Sequence, residues 1–376
     1  MVKKILFSIV LFTITSGAIA QIELIKRNIQ SALKKDRDIY KIGAIAVSIQ
    51  LPHSEKIDSF YSGSTQLQGD HSINANNLFQ VGSITKSFIA ALILQLESEH
   101  RLKITDTIEK YLPHYSKWRR ITIKQLLNHT SGIYNYTHLP QFDHVSTAEN
   151  DHLQWTPERI VDSVYHRKLY FPPGKGFHYS NTNYILLGMI IHAVTRHSVQ
   201  PELERRFLHN ATIGLKNSYY FPDNYPEVIS ARMVSGYFEN KNETNINMSW
   251  VDAAGALVSN SIDIARWMNA LFVKNTVLPS KQLAEMTSVV SVSEGKPLSE
   301  NSEQFAYGLG IKRRYLEHIG PIWFHPGATT GYTAIMIWAP QPRIVLVVTT
   351  NAGNLGKKNI KAIAFGLLTL LNENNG

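Results

Sequence analysis

The sequence predicts an α/β fold in which an antiparallel sheet is flanked by helices, with a helical subdomain inserted between the N-terminal and C-terminal parts of the sheet. Two β-branched runs at residues 43–50 and 57–61 are separated by a polar turn, as in a hairpin. Three further apolar runs, at residues 321–325, 332–338 and 344–350, are separated by turn residues. Strands from both ends of the chain can therefore pair into one sheet.

The segment between these two groups of strands has helical periodicity. Apolar residues recur at helical spacing in four stretches, at residues 85–96, 122–128, 184–193 and 262–272. Similar patterns predict an opening helix from Ile22 to Leu33 and a closing helix at residues 360–371. We expect residues 21–80 and 300–376 to form the sheet part and residues 81–299 the mostly helical part. The ligand site is expected in the cleft between the two parts.

The first twenty residues have the pattern of a secretory signal peptide. Lys3 and Lys4 precede an apolar run at residues 5–14, and Ala18-Ile19-Ala20 has the small-residue form of a cleavage site. The run is too short to cross a bilayer. We therefore expect cleavage after Ala20, a mature domain of residues 21–376 without a stable membrane span, and a periplasmic or secreted location.

Composition limits the classes of function. The 376 residues contain no cysteine, so neither disulfides nor thiol chemistry are available. The formal charge of +9 falls to +7 when residues 1–20, with two lysines and no acids, are removed. The basic residues are scattered rather than arranged in a stripe, which argues against nucleic-acid binding. Histidines are dispersed and no His-Glu-x-x-His motif occurs, so we expect no metal and no cofactor.

A serine and a lysine three residues apart form the first candidate for catalysis. On a helix, Ser83 and Lys86 would share one face. A serine hydroxyl is a poor nucleophile unless a base takes its proton, and a desolvated lysine can be neutral enough to do so. The same spacing occurs at Ser31/Lys34 and Ser293/Lys296, but only Ser83 opens an apolar helix predicted to be buried.

Two later segments supply further candidates. Tyr179 and Asn181 form the only Tyr-x-Asn in the chain, and such a pair can relay a proton and bind a substrate carbonyl. Alternatively, the tyrosine packs and the asparagine caps the next helix. His325-Pro326-Gly327 follows a strand, where Gly327 would let a substrate backbone approach closely and the Ala328 N–H would donate to an oxyanion beside the Ser83 N–H. His318-Ile319-Gly320 is the fallback for this third motif.

These three elements, in this order, resemble the serine penicillin-binding proteins and β-lactamases. The nearest subgroup is that of class C β-lactamases, D-alanyl-D-alanine carboxypeptidases and related esterases. The resemblance spans nearly the whole mature chain and implies a β-lactamase/transpeptidase-like fold. Further segments match the style of this family: residues 125–132 (QLLNHTSG), 171–174 (FPPG), 253–259 (AAGALVS), 263–266 (DIAR) and 327–332 (GATTGY).

The resemblance implies roles for the candidate residues. Ser83 would be the nucleophile, Lys86 its partner and Tyr179 the general base or proton relay. The first proton could go to either Lys86 or Tyr179. Asn181 would contact the substrate amide, and His325 would stand where the family has lysine or histidine. The strand that carries Gly327 would bind substrate, and the amides of Ser83 and Ala328 would form the oxyanion hole.

One departure from the family leaves the substrate open. The residue after His325 is Pro326, where many relatives carry a threonine or serine whose hydroxyl helps to hold the substrate carboxylate. The expected activity is an exported serine hydrolase acting on a peptide, β-lactam or ester, like a D-alanyl-D-alanine carboxypeptidase or class C β-lactamase. Small-molecule or peptidoglycan-peptide substrates, with β-lactams as covalent ligands, would fit it. The alternatives are an esterase or amidase of the same fold, or a non-catalytic cell-wall ligand-binding module.

Overall fold

The computed structural model describes residues 16–52, 54–143 and 153–373. Most of the predicted signal peptide, residues 1–15, lies outside these ranges. The opening helix α1 begins at Ser16 and ends at Tyr40, so Ala20 falls within it. Within the described ranges, no helix has the length and hydropathy needed to cross a membrane.

The strands form one large sheet and two small ones. In chain order they are β1 Ala44–Gln50, β2 Ile57–Gly63, β3 Phe79–Gln80, β4 Tyr219–Tyr220, β5 Tyr237–Phe238, β6 Lys241–Asn242, β7 Leu257–Ser259, β8 Val290–Ser291, β9 Ala306–Tyr307, β10 Lys312–Leu316, β11 Gly320–Ala328, β12 Thr333–Ala339 and β13 Ile344–Thr350. The large sheet has the order β2-β1-β13-β12-β11-β10-β9-β8, and each neighbouring pair of strands is antiparallel. Strand β1 pairs with β13, Val47 opposite Val348, which confirms that the two ends of the chain build one antiparallel sheet.

The remaining helices cover this sheet or build the layer beside it. In chain order they are α2 Thr85–Ser98, α3 Ile108–Tyr111, α4 Ile123–Leu127, α5 Pro140–Asp143, α6 Pro157–Tyr165, α7 Asn181–Thr195, α8 Val199–Leu203, α9 Glu227–Ser230, α10 Asp252–Gly255, α11 Ser261–Met268, α12 Ser280–Thr287 and α13 Gly356–Glu373. A π-helical turn, Asn269–Val273, continues α11. The predicted α/β fold with helices flanking the sheet is confirmed.

Both faces of the central strands are buried, because helices pack on each. On β12, Ile335 and Ile337 face a core shared with α1 and α13. The alternate residues Ala334 and Met336 face the core of the helical layer. Since successive side chains of a strand point to opposite faces, burial on both sides explains why β12 and β13 are continuous apolar runs.

The helical layer is centred on α2, whose residues are buried from Thr85 to Leu94. Two elements of the predicted helical part lie on the sheet itself. Helix α11 packs against β1 and β13, and β8 extends the sheet edge beside β9. Helix α11 is amphipathic and follows the short strand β7, so its apolar side can cover the sheet face opposite α13. The division of the chain at residue 300 stays a prediction.

Candidate active site

Ser83 lies where the sheet meets the helical layer. It occupies a short 3₁₀ turn, Gly82–Ile84, that runs directly into α2, and its side chain is 7% exposed. Residues three apart eclipse one another in a 3₁₀ turn. Lys86, in the first turn of α2, is consequently placed with Nζ 3.2 Å from Ser83 Oγ. The predicted pairing of these two side chains is present in the structure.

The Lys86 amine is held by two acceptors besides Ser83. Its Nζ donates to Asn181 Oδ1 at 2.8 Å and to the Ala254 carbonyl oxygen at 2.7 Å. A neutral amine has two N–H groups and one lone pair. With both N–H groups directed to Asn181 and Ala254, the lone pair of the neutral form faces the Ser83 hydroxyl. The geometry therefore suits proton transfer from serine to lysine.

Burial controls the protonation of the lysine and the tyrosine in opposite senses. Burial, reinforced by the positive charges of Lys357 and Lys312, holds the pKa of Lys86 well below its usual value. Burial raises the pKa of Tyr179, and the Ser83 hydroxyl offsets only part of that rise. At neutral pH Tyr179 therefore keeps its phenolic proton. Lys86 is the group that more readily loses its proton and becomes a neutral amine.

The loop before α7 carries Tyr179 and is anchored by His129. The backbone N–H of Ser180 and the Asn183 side-chain amide both lie 3.2 Å from His129 Nδ1, so that nitrogen accepts and the proton resides on Nε2. The His129 ring lies 4.3 Å from the Tyr179 ring, centroid to centroid. His129 thus positions the tyrosine. The Tyr179 hydroxyl is buried and makes no well-aligned hydrogen bond with the part of the chain that the structure describes, but it is close enough to the Ser83 hydroxyl for that group to lower its pKa.

The end of β11 forms one wall of the site. Strand β10 pairs with β11 only from Gly320 to Phe324, whereas β12 pairs with it as far as Ala328. Among the described residues, the stretch after Phe324 therefore has no strand partner on the β10 side. This local edge could accept an extended substrate segment, as expected for the third motif. His318, the fallback, lies in the exposed turn before β11.

His325 is more enclosed than the sequence led us to expect. It is 1% exposed, and its Nδ1 lies 2.9 Å from the Pro326 carbonyl oxygen, to which it must donate. Nε2 then accepts from the Tyr307 hydroxyl at 3.0 Å. Burial and the nearby Lys312 and Lys86 charges hold the pKa of His325 well below its usual value. Both ring nitrogens are engaged within the protein, so a direct substrate contact by His325 stays a prediction that this geometry does not support.

Gly327 is required for a different close approach from the one expected. A Cβ at this position would lie 1.9 Å from the Val81 carbonyl oxygen and 3.2 Å from the Ser83 nitrogen. A Cβ on Gly82, where φ is +49°, would lie 2.7 Å from the Ala328 nitrogen. The turn bearing Ser83 and the end of β11 thus touch through two glycines. The chain's own backbone fills the position that a Cβ on Gly327 would take, and the contact brings the Ser83 and Ala328 amides together.

Adding one methyl group tests this contact. We expect Gly327→Ala to lower the free energy of unfolding by about 1–3 kcal/mol, because the new Cβ meets backbone that cannot swing aside. Gly366→Ala in α13 is the matched control, since a Cβ there meets nothing within 4 Å. The control should gain about 0.5–1 kcal/mol from better helix propensity. Urea unfolding of both variants measures the difference, and equal stability would show that the two glycines do not define the junction.

Sequence reasoning missed several groups around the site. The Ala254 carbonyl lies in a segment noted only for its resemblance to the family. Tyr307, on β9, belongs to none of the motifs found in the sequence. Lys312 and Lys357 are among the scattered basic residues that the sequence analysis did not connect with the site. Each has Nζ over the Tyr179 ring, at 5.2 Å and 5.4 Å from its centroid. Nothing in the local pattern marks these residues, because only the pairing of distant strands brings them together.

The two other Ser-x-x-Lys sequences lie away from this site. Ser31 and Lys34 are exposed on α1. Ser293 is exposed in a loop, and Lys296 there forms an ion pair with Glu294 at 2.8 Å. Burial and the presence of Asn181 therefore distinguish the Ser83 pair from its copies.

Comparisons with known proteins agree with this architecture. The Beta-lactamase family model matches residues 29–370. The chain is 28% identical over 282 residues to protein flp of Staphylococcus aureus (strain NCTC 8325 / PS 47), covering 73% of this chain and 52% of that protein. It is 26% identical over 306 residues to penicillin-binding protein 4* of Bacillus subtilis (strain 168), covering 77% of this chain and 64% of the relative. The chain thus spans about half to two thirds of the length of these relatives.

Two solved structures of similar proteins share the fold over nearly their whole length. A D-stereospecific amidohydrolase from Streptomyces sp. superposes with a TM-score of 0.77 at 27% identity, covering 89% of this chain and 98% of that one. A D-amino acid amidase from Ochrobactrum anthropi SV3, complexed with L-phenylalanine amide, has a TM-score of 0.78 at 25% identity, covering 93% and 98%.

The antiparallel sheet, its helical layer and the serine-lysine pair at their junction define a protein of the β-lactamase/transpeptidase fold, a serine hydrolase fold. The family match covers most of the chain. The chain belongs to the serine β-lactamase and penicillin-binding protein family.

Proposed function

We propose that the protein is an exported serine hydrolase that cleaves amide or ester bonds through an acyl-enzyme on Ser83. The observation that carries this proposal is the Lys86 amine. It is buried, held by Asn181 and Ala254, and lies 3.2 Å from the Ser83 hydroxyl. A binding module would have no need for a desolvated lysine beside an otherwise unactivated serine, because burying that amine costs free energy.

In the proposed reaction, Ser83 Oγ attacks the substrate carbonyl carbon while its proton passes to Lys86 Nζ. Negative charge develops on the carbonyl oxygen and is stabilised by the backbone amides of Ser83 and Ala328. Collapse of the intermediate breaks the bond to the leaving group, which takes a proton through the Tyr179 hydroxyl. Lys86 returns its proton to Tyr179. Water then attacks the ester, the same groups transfer its protons, and the acid product and free Ser83 are released.

Lys86 rather than Tyr179 is the proposed first base. The pKa of Lys86 is lowered by burial and that of Tyr179 is raised, so the lysine loses its proton at a lower pH than the phenol. A neutral tyrosine can still accept one proton as it donates another, which is the role of a relay. Among the described residues, no well-aligned hydrogen bond holds the Tyr179 hydroxyl, so it can contact the leaving group beside Ser83.

Amide hydrolysis is the activity that the relatives favour. Two similar solved structures are named as a D-stereospecific amidohydrolase and a D-amino acid amidase. A related curated protein is named penicillin-binding protein 4*. We therefore propose a peptide-like amide as the substrate class, of D-alanyl-D-alanine carboxypeptidase or amidase type. Esters and β-lactams would be compounds that also acylate Ser83.

Covalent labelling tests the proposal. The gene segment that encodes residues 1–376 is expressed, and the purified protein is exposed separately to a fluorescent penicillin and to a fluorophosphonate. We expect intact-mass spectra to show one adduct with at least one probe, and peptide mapping to locate it on Ser83. Spectra of the unlabelled protein should show an N-terminus at Gln21 if the signal peptide is cleaved as proposed. The absence of an adduct with both probes, or an adduct on another serine, would contradict the assignment.

A further inference from the structure

Asp252 lies close to the carbonyl that holds Lys86 and has an unusual backbone conformation. It opens α10 two residues before Ala254, whose carbonyl oxygen accepts a hydrogen bond from Lys86 Nζ at 2.7 Å. The φ angle of Asp252 is +33°, a positive value that residues with a Cβ rarely adopt. Such a conformation costs free energy and persists only where the surrounding contacts enforce it. The contacts of Asp252 therefore bear on where the Ala254 carbonyl lies.

A tyrosine from another element holds the Asp252 side chain. The Tyr220 hydroxyl, on β4, donates to Asp252 Oδ1. Strand β4 pairs with β7, the strand that follows α10, and Tyr220 lies opposite Leu257. The Asp252 carbonyl oxygen in turn accepts from the Ala256 N–H at 2.9 Å. Because both the side chain and the backbone of Asp252 are bonded, the orientation of α10 is fixed from both sides.

Asp252 also borders a surface pocket of about 600 Å³. Residues from four segments line the pocket, among them Trp155, Glu158, Met189, Tyr220 and Asp223. Burial raises the pKa of Asp252 to about 6, with a further rise from the charges of Asp223 and Glu158 and a partial offset by Tyr220 and the Ala253 N–H. At pH 7 and above the group is therefore a carboxylate, and without its tyrosine it could turn into the pocket toward water.

We propose that Asp252 and Tyr220 are positioning residues for Lys86. Their hydrogen bond holds α10 in the orientation that places the Ala254 carbonyl oxygen on the lysine amine. This inference rests on the proposed function and adds two residues to the same site. The carbonyl occupies one N–H of the neutral amine and so helps to direct its lone pair at Ser83 Oγ. Asp252 and Tyr220 thus act on the reaction through the backbone of α10 rather than by touching the substrate.

Tyr220→Phe removes only the hydroxyl, because the ring stays in the core. The Asp252 carboxylate loses its donor, turns toward water and releases its positive φ, so the Ala254 carbonyl moves away from Lys86. We expect acylation of Ser83 to slow by about tenfold to hundredfold. Hydrogen bonding favours the charged form of a lysine, so the lost acceptor lowers its pKa further. The rise of the acylation rate with pH should consequently move to lower pH.

The rate of Ser83 labelling is measured against pH with the fluorophosphonate or, where only that probe reacts, with the fluorescent penicillin. Asp252→Ala lacks the carboxylate and disfavours a positive φ, so it should reproduce the changes seen in Tyr220→Phe. Asp252→Asn keeps an acceptor and tolerates a positive φ, so it should restore the wild-type profile. Tyr111→Phe is the matched control, because the Tyr111 hydroxyl also donates to an aspartate, Asp106, at 2.6 Å, and its loss should change neither rate nor profile.

Crystal structures of the wild type and of Tyr220→Phe give a readout that does not depend on activity. We expect the distance from Lys86 Nζ to the Ala254 carbonyl oxygen to increase from 2.7 Å to beyond hydrogen-bond range. If neither probe labels Ser83 in the wild type, the proposed hydrolase function fails, and this distance alone decides the positioning role. An unchanged distance, or slower labelling with an unmoved pH profile in Tyr220→Phe and Asp252→Ala, would overturn the inference and leave the pair a structural contact.

Discussion

Replacing Ser83 with alanine is expected to lower kcat/KM for every cleaved substrate by at least about 10⁴-fold, because no acyl-enzyme can form without the nucleophile. The residual rate would come from binding and the oxyanion donors alone. Ser83 is nearly buried in a tight turn, and alanine fits the same backbone, so the midpoint of thermal unfolding should change little. Steady-state hydrolysis and covalent labelling measure the loss, and a melting curve shows that the fold is retained.

Ser31→Ala is the matched control for this variant. Ser31 also precedes a lysine by three residues, but it is exposed on α1. It is more than fifty residues away in sequence from the candidate site residues, which begin at Ser83. Its substitution should leave both hydrolysis and labelling at the wild-type level. Labelling that persists in Ser83→Ala would show that another residue is the nucleophile, whatever the fold of the protein.

Removing the Lys86 amine is expected to slow acylation by about 10²–10⁴-fold, the range for loss of a general base. Lys86→Ala leaves Ser83 in place, so a slow adduct should still form on it. The variant vacates the position between Asn181 and Ala254, whose oxygens each lose a hydrogen-bond donor. Stopped-flow measurement of single-turnover acylation gives the effect, and Lys34→Ala on the surface of α1 is the matched control.

The pH dependence separates a base from a structural residue. A group with a lowered pKa loses its proton, and so becomes active as a base, at a lower pH than usual. Burial and the charges of Lys357 and Lys312 lower the pKa of Lys86, so wild-type kcat/KM should rise with pH while an ordinary lysine would still be fully protonated. In Lys86→Ala this rise should disappear. Acylation near the wild-type rate, with the same pH profile, would remove Lys86 from the mechanism.

Local patterns accounted for the secondary structure and the order of the elements. The apolar stretch at residues 344–350 was predicted as a strand, and β13 has the same bounds. The helix predicted at residues 184–193 begins earlier, at Asn181, because Asn181 and Thr182 bond to the segment at residues 134–137. Such ends depend on contacts with distant residues, which periodicity does not record. The predicted site residues that lie close in sequence, Ser83 with Lys86, also came together as expected.

The third motif, His325-Pro326-Gly327, shows where prediction from the local sequence was insufficient. Gly327 was predicted to let a substrate approach, and the structure adds a second requirement for glycine, because the Val81 carbonyl lies where a Cβ would be. His325 was expected to face a ligand, yet Tyr307 and the Pro326 carbonyl engage its ring. Both differences arise because the end of β11 packs against the Ser83 turn rather than against solvent, a contact between residues far apart in the chain.

The α/β fold and the Ser83–Lys86 pair were predictable from local patterns, because hydrophobic periodicity and a three-residue step are properties of neighbouring residues. The activation of that lysine was not predictable in this way, because it depends on tertiary contacts. Asn181 is 95 residues from Lys86 and Ala254 is 168 residues away, yet both accept its N–H groups. Lys312 and Lys357, whose charges lower the pKa of Lys86, lie on β10 and α13 near the other end of the chain. A pKa depends on burial and on charges nearby in space, and these exist only once the chain has folded.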